Sequence, residues 1–277
     1  MTLSNDSKSH SSIYKRLLLL IEGWFPNSAS YSELIEKGVE YRPHYAYCLY
    51  NAAIQAKRLG LSEITAIEFG VAMGGGLTDL EYLSKKIERR TQVKINIVGF
   101  DFGEGLSPTN DHRDLLYLWQ PGDYMMNEDA LKAKLTFAKL ILGDVKTTLP
   151  NFLKTELKAP IGAMFVDLDY YTSTINCLDP MLTLDSKMLL PRTYVYLDDL
   201  TYTSKYTGEF AAVEEFNIKS EFRKIDEIKL LSELLALKWL KWLYLGRRIF
   251  WLHIFDHSLY NIRDINDKSS IQDPLPW

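Results

Sequence analysis

The chain has 277 residues and a mass of 32.0 kDa, with 47% hydrophobic and 25% charged residues. That is enough for one large domain with a substantial core, and it excludes disordered and fibrous classes. A net charge of −4 and a pI near 5.8 argue against a nucleic-acid protein that works by neutralising phosphates.

Residues 1–12 are polar and serine-rich and are expected to form a disordered tail. Residues 13–60 read as an N-terminal helical extension. Its run Leu17–Ile21, preceded by Lys8, Lys15 and Arg16, is too short for a signal peptide and has no small-residue cleavage site after it, so it reads as an amphipathic first helix. A break at Phe25–Ser30 precedes a further helix, and Pro43 opens another. There Tyr45, Cys48, Leu49, Ala52, Ala53 and Ala56 recur at helical spacing as far as Gly60. Cys48 and Cys177 have no metal-ligand spacing and read as free thiols in a reducing compartment, so a cytoplasmic protein is expected.

From residue 61 to 277 strands and helices alternate, the pattern of a doubly wound α/β sheet, mostly parallel and Rossmann-like, with helices on both faces. Strands are predicted at 64–69, 94–100, 139–142, 161–166, 193–197 and 247–255. Helices are predicted at 77–90, 127–135, 148–157, 173–182 and 208–220. Five of the strands end in an acid or an acid-glycine turn. In open parallel sheets the ligand lies outside the carboxyl ends of the strands, so acids collected there are ligand-contact candidates. The apolar region 230–255 is interrupted by Lys238, Lys241, Arg247 and Arg248, so it is not a transmembrane span. Its aromatics, Trp239, Trp242, Tyr244, Phe250 and Trp251, are expected to pack on the sheet, with the cationic ends snorkelling; the alternative is a surface that meets a membrane or partner.

The first of these strands runs into a glycine-dense turn, Glu68-Phe-Gly-Val-Ala-Met-Gly-Gly-Gly76. A dinucleotide fingerprint, G-x-G-x-x-G, fits only if Ala72 replaces its second glycine, and the alanine methyl would crowd a pyrophosphate. The alternative, acid-x-Gly-x-x-x-Gly-x-Gly, is matched by Glu68, Gly70, Gly74 and Gly76 without substitution. On this turn the chain resembles the class I S-adenosylmethionine-dependent methyltransferases. The resemblance implies that the turn wraps the methionine part of S-adenosylmethionine beside an acid that suits its ammonium group. It also implies that Asp101, at the end of the second strand, accepts the ribose hydroxyls, and that Asp144, in the turn after the third, holds the adenine. A helix-capping role for Asp101 stays open.

Two later segments, Phe165-Val-Asp-Leu-Asp-Tyr-Tyr and Tyr194-Val-Tyr-Leu-Asp-Asp199, place several carboxylates at neighbouring strand ends. Ionised carboxylates that close repel unless a cation or donors compensate them, and a hard divalent ion such as magnesium prefers oxygen ligands. Metal-dependent O-methyltransferases of the catechol and macrocin types carry an acid after the fourth strand and an acid pair after the fifth. By that resemblance Asp167, Asp198 and Asp199 are metal ligands, with Asp169 an alternative for the first, and Asp167 is also a catalytic candidate. The other reading has Asp198 or Asp199 capping the next segment without metal. His112 and Arg113, in the long loop after Asp101, are placed to handle a hydroxyl proton or an anion. His253 and His257 read as structural.

The stretches Arg42–Tyr47, Gly99–Gly105, Asp111–Asp114 and His253–Asn261 look similar to bacterial methyltransferase-like proteins with no assigned substrate. The resemblance therefore implies methyl transfer from S-adenosylmethionine to a hydroxyl of a small molecule or sugar, aided by magnesium. Self-association is left open. Two alternatives stand beside it: a nicotinamide-dependent oxidoreductase on the same topology, and a cofactor-binding protein without catalysis.

Overall fold

The structure, a computed structural model, describes residues 31–36, 38, 40–228 and 248–265. The expectations for residues 1–30 and for Trp239, Trp242 and Tyr244 lie outside the described residues.

The first helices are α1 (Tyr31–Glu36) and α2 (Pro43–Arg58). Pro43 stands at the first position of α2, where its fixed φ suits the helix and its missing N–H costs nothing. Gly60, at φ 72, closes the helix in the left-handed conformation. The chain then runs through β1 (Glu63–Phe69), α3 (Gly75–Thr91), β2 (Lys94–Asp101), α4 (Glu128–Lys132), β3 (Lys139–Leu142) and α5 (Val145–Thr155). It continues through β4 (Ile161–Val166), α6 (Tyr171–Leu178), β5 (Leu189–Leu197), α7 (Gly208–Lys219), β6 (Arg223–Glu227) and β7 (Ile249–Ile254).

The strands form one seven-stranded sheet in the order β3-β2-β1-β4-β5-β7-β6. β1 to β5 pair in parallel, and β7 inserts antiparallel between β5 and β6. The order reverses between β1 and β4, which makes their carboxyl ends the switch point where such sheets open a crevice.

Strict alternation along the strands builds a core on each face. Ala66, Ala163, Phe165, Tyr194 and Tyr196 pack with α2 and α3 on one side. Ile67, Phe69, Met164, Val166, Val195 and Leu197 pack with α5, α6 and α7 on the other. Tyr45, Leu49, Ala52, Ala53 and Ala56 of α2 are fully or almost fully buried in the first core, so this helix is a layer of the fold rather than an appendage. Both cysteines are buried free thiols. Among the described residues no helix is long and apolar enough to cross a membrane.

Beyond shifts of a few residues at several ends, such as α6 at Tyr171–Leu178 for 173–182, three elements differ from the sequence expectation. The helix expected at 127–135 is confined to Glu128–Lys132. β5 begins at Leu189 instead of Thr193. Ile161 pairs with Leu189 and Ala163 with Tyr194, so the intervening residues bulge and accommodate Pro191 without a lost ladder bond. β6 was not expected at all. It reads Arg-Lys-Ile-Asp-Glu, and only Arg223 and Ile225 are buried, which an edge strand allows.

Candidate active site

Backbone bonds continue the parallel ladder one residue past the strand ends. Gly70 N–H donates to Phe100 O at 2.9 Å, Gly143 N–H to Asp101 O at 2.9 Å, Asp167 N–H to Phe69 O at 2.9 Å and Asp198 N–H to Val166 O at 3.0 Å. The residues that follow the strands are thereby fixed in a row along one edge of the sheet. Above them lies a cavity of about 500 Å³, within the range of small-molecule sites. Its lining includes Glu68, Gly70, Gly76, Asp101, Asp144, Asp167, Asp169, Asp198 and Asp199, so nine of the ten acids and glycines proposed from sequence meet there. Gly74 is the exception, standing behind them as the N-cap of α3.

The glycines are explained by what surrounds them. At Gly70, φ is 83 and a Cβ would fall 1.7 Å from the Asp167 carbonyl oxygen, so the chain crosses the switch point only without a side chain. Gly70→Ala is therefore expected to destabilise the fold by more than about 2 kcal/mol, read as a lower urea midpoint; an unchanged midpoint would contradict this crossing. At Gly76, a Cβ would lie 1.8 Å from Glu68 Oε1. Glu68 is 2% exposed; Tyr45 OH donates to its Oε1 at 3.0 Å, and its Oε2 is buried without a partner. Burial, with the nearby Asp167 charge, pushes the Glu68 carboxyl up to about 8.

Asp101 does something the sequence reading did not include. Its Oδ2 accepts from Val71 N–H and Ala72 N–H, both at 2.8 Å, and its Oδ1 accepts from Gly103 N–H at 2.7 Å. It clamps the glycine turn to the loop after β2, with Ala72 held at φ 46. Asp144 is exposed at the cavity rim and caps α5 through Lys146 N–H at 2.8 Å.

On the far side of the cavity, one oxygen from each of Asp167, Asp198 and Asp199 lies within 4.8 Å of the others. Asp198 Oδ1 accepts from Tyr196 OH at 2.6 Å and Arg248 Nη1 at 2.9 Å. Asp199 Oδ2 is buried and has no partner. Desolvation at the cavity floor, then the Asp198 and Asp199 charges, push the Asp167 carboxyl up to about 8. Its side chain is open to cavity water, which tempers the first cause and leaves the repulsion intact. Asp169, buried at φ 57, hydrogen-bonds Asp199; burial and the Asp199 charge raise the Asp169 carboxyl, while burial and the Asp198 charge raise that of Asp199. Three oxygen donors, one of them orphaned, in a cluster that resists ionisation have the chemistry of a hard divalent-cation site.

His112 is not brought to the cavity. Its side chain is 91% exposed on a short 3-10 turn, and it is absent from the lining, which removes the basis for its catalytic assignment. The turn has a structural reason. Buried Asp114 accepts from Thr172 N–H and Oγ1, both at 2.8 Å, while the Arg113 guanidinium stacks 3.6 Å over Tyr171 and pairs with Asp111 and Glu215. These bonds pin the long loop to α6 and leave His112 pointing out. His253 Nδ1 meets Tyr260 OH at 2.7 Å and His257 Nδ1 accepts from Leu259 N–H at 2.9 Å, outside the cavity.

Sequence reasoning missed two organising residues. Glu209, fully buried at the start of α7, accepts from Asp199 N–H at 2.9 Å and Leu168 N–H at 3.4 Å, tying both acid loops together. The signal was a glutamate in the apolar run Gly208–Phe216. Tyr45 was read only as core, although its hydroxyl holds Glu68.

The chain is similar to the solved structure of the O-methyltransferase NovP, with a TM-score of 0.51 and 16% identity over 88% of this chain and 99% of that one. This is a Rossmann-like methyltransferase fold. The structure of CalS11, a calicheamicin methyltransferase, is also similar, with a TM-score of 0.48 and 21% identity over 77% of this chain and 86% of that one. No family model matches the sequence, and no curated protein matches it. Within the methyltransferase fold, the glycine turn and Asp101 sit at the switch point and the carboxylate cluster at the ends of β4 and β5.

Proposed function

We propose that the chain transfers a methyl group from S-adenosylmethionine to a hydroxyl of a small molecule or sugar, with a divalent cation, magnesium by preference, at Asp167, Asp198 and Asp199. The observation that carries this reading is one cavity in which a glycine cradle and buried acid adjoin a three-carboxylate cluster. The first suits a cationic amino acid and nucleoside, and the second suits a cation with an acceptor oxygen.

When bound, S-adenosylmethionine supplies an electrophilic methyl group, and a divalent cation favours the ionised form of a neighbouring hydroxyl. The protein's own part is positional and protonic. Gly70 and Gly76 let the turn pass close against Asp167 and Glu68, Glu68 would face the ligand's ammonium, Asp101 would present its remaining lone pairs to the ribose, and Asp144 would mark the adenine end. Asp167 faces the cavity beside Asp198 and Asp199, whose charges raise its proton affinity in the cation-free cluster, and it would be the group to take the acceptor proton. With a cation held by the cluster, the acceptor oxygen would be kept beside the cofactor end of the cavity. The nicotinamide alternative is disfavoured by Ala72, which lines the cavity at the position where the dinucleotide fingerprint needs its second glycine.

Calorimetry with S-adenosylmethionine and S-adenosylhomocysteine tests the cofactor, with micromolar binding expected and no binding at high micromolar concentration removing it. Formation of S-adenosylhomocysteine over a library of hydroxyl acceptors, with and without magnesium, then tests turnover. Cofactor binding with no turnover on any acceptor would favour the non-catalytic alternative.

A further inference from the structure

We propose that Arg42 is a specificity residue that, with Glu68 and the start of α3, clamps the free amino acid end of the ligand. The proposal rests on the cofactor reading above. Four observations meet at one place. Arg42 precedes α2 at φ 42, ψ 67, a left-handed conformation that is costly for an arginine, and more so before a proline. Such strain persists where surrounding structure holds a side chain in place. Here the guanidinium is held over the Tyr45 ring, 5.0 Å from its centroid, and its Nε pairs with Asp79 Oδ2 at 2.5 Å.

Those contacts leave the outer fork unused. Among the described residues Nη1 and Nη2 have no hydrogen-bond partner, and Arg42 lines the cavity. A Cβ on Gly75 would lie 3.3 Å from Nη2, and one on Gly76 would strike Glu68 Oε1. The guanidinium and the carboxyl therefore stand on either side of consecutive glycines. Beside them begins α3, a helix of 17 residues whose N-terminus has no side-chain cap, so its first N–H groups are left without a side-chain acceptor. The buried, unpartnered Glu68 Oε2 completes the arrangement.

The chemistry fits one kind of group. A carboxylate is attracted by the Arg42 fork and the positive end of α3, and an ammonium by Glu68. Both are present on the α-carbon of an amino acid. Asp79 holds the near side of the guanidinium so that the fork faces the glycines instead of folding back onto it.

The test separates the amino acid end from the nucleoside end. Wild type, Arg42→Ala and Arg42→Lys are titrated calorimetrically with S-adenosylhomocysteine, its decarboxylated analogue and methylthioadenosine, which lacks the amino acid altogether. Arg42→Ala is expected to weaken S-adenosylhomocysteine by about tenfold or more and to leave methylthioadenosine within about twofold, with Arg42→Lys between. Wild type is expected to prefer S-adenosylhomocysteine over the decarboxylated analogue, a preference that Arg42→Ala erases. Equal weakening of all three ligands makes Arg42 a support of the loop and overturns the clamp, as does unchanged affinity. Wild type that binds all three alike keeps the cofactor reading and overturns the clamp. Wild type that binds none overturns both. The comparison of ligands on wild type stands even where a variant fails to fold.

Discussion

Asp167→Asn is expected to lower the rate of methyl transfer by about 10²- to 10⁴-fold while S-adenosylhomocysteine affinity changes by less than about threefold. Asparagine keeps the size of the side chain and one oxygen, but it cannot accept the acceptor proton and is a poor ligand for a hard cation. The position is demanding because Asp167 does two things at once. Its side chain opens onto the cavity, where the carboxylates of Asp198 and Asp199 raise its proton affinity, while its carbonyl oxygen sits against Gly70. Only the first is touched by the substitution, so the glycine turn and the cofactor end should be preserved. Initial rates of S-adenosylhomocysteine formation and calorimetry on the same preparation read the two effects separately. Turnover within about threefold of wild type would remove Asp167 from the chemistry, and parallel loss of affinity would make it a support of the turn.

The second large effect concerns pH. Glu68 is buried, with Tyr45 donating to it, Arg42 as the nearby cation and Asp167 and Asp79 as the nearby acids. Burial dominates, and its carboxyl stands at about 8 against an ordinary 4.5. Between those values the folded chain retains a proton that the unfolded chain gives up. The associated stability is fully present below about pH 4.5 and is lost as pH rises through about 8. Asp167 contributes in the same direction. The ligand-free protein should therefore melt at a lower temperature at pH 8 than at pH 5.5, a loss of about 2 kcal/mol appearing as roughly 4–8 °C for a chain of this size. Glu68→Gln, which stays neutral and can still accept from Tyr45, should shrink that difference, leaving the Asp167 part. A melting profile of Glu68→Gln with the wild-type slope would show that Glu68 is ionised when folded.

The fold was readable because parallel strands buried on both faces leave short apolar runs, and the run at 161–166 coincides with β4. β6 was invisible for the opposite reason: an edge strand needs few buried residues, and charges fill the rest. At the site, spacing located the acids because a strand end is a fixed point in the sheet. It did not reveal how each carboxylate is used, since Asp101 spends its hydrogen-bonding capacity largely on backbone N–H groups, and a sequence does not distinguish that from a ligand contact. His112 misled because proximity in sequence to a binding loop says nothing about direction. The four bonds around Asp114 and Arg113 decide where that loop points. Arg42 and Tyr45 lie more than 20 residues before the glycine turn, so their meeting with Glu68 is a product of packing between α2 and the sheet.

The clamp that Asp101 forms also has a kinetic meaning. With Val71, Ala72 and Gly103 already tethered, the turn does not have to be ordered when a ligand arrives. The entropy of arranging it was spent during folding. Association should then be limited by entry into the cavity, giving a single rapid phase whose rate rises linearly with ligand concentration. Asp101→Ala, by releasing the turn, should add a slower step that saturates, the mark of a conformational change interposed before tight binding.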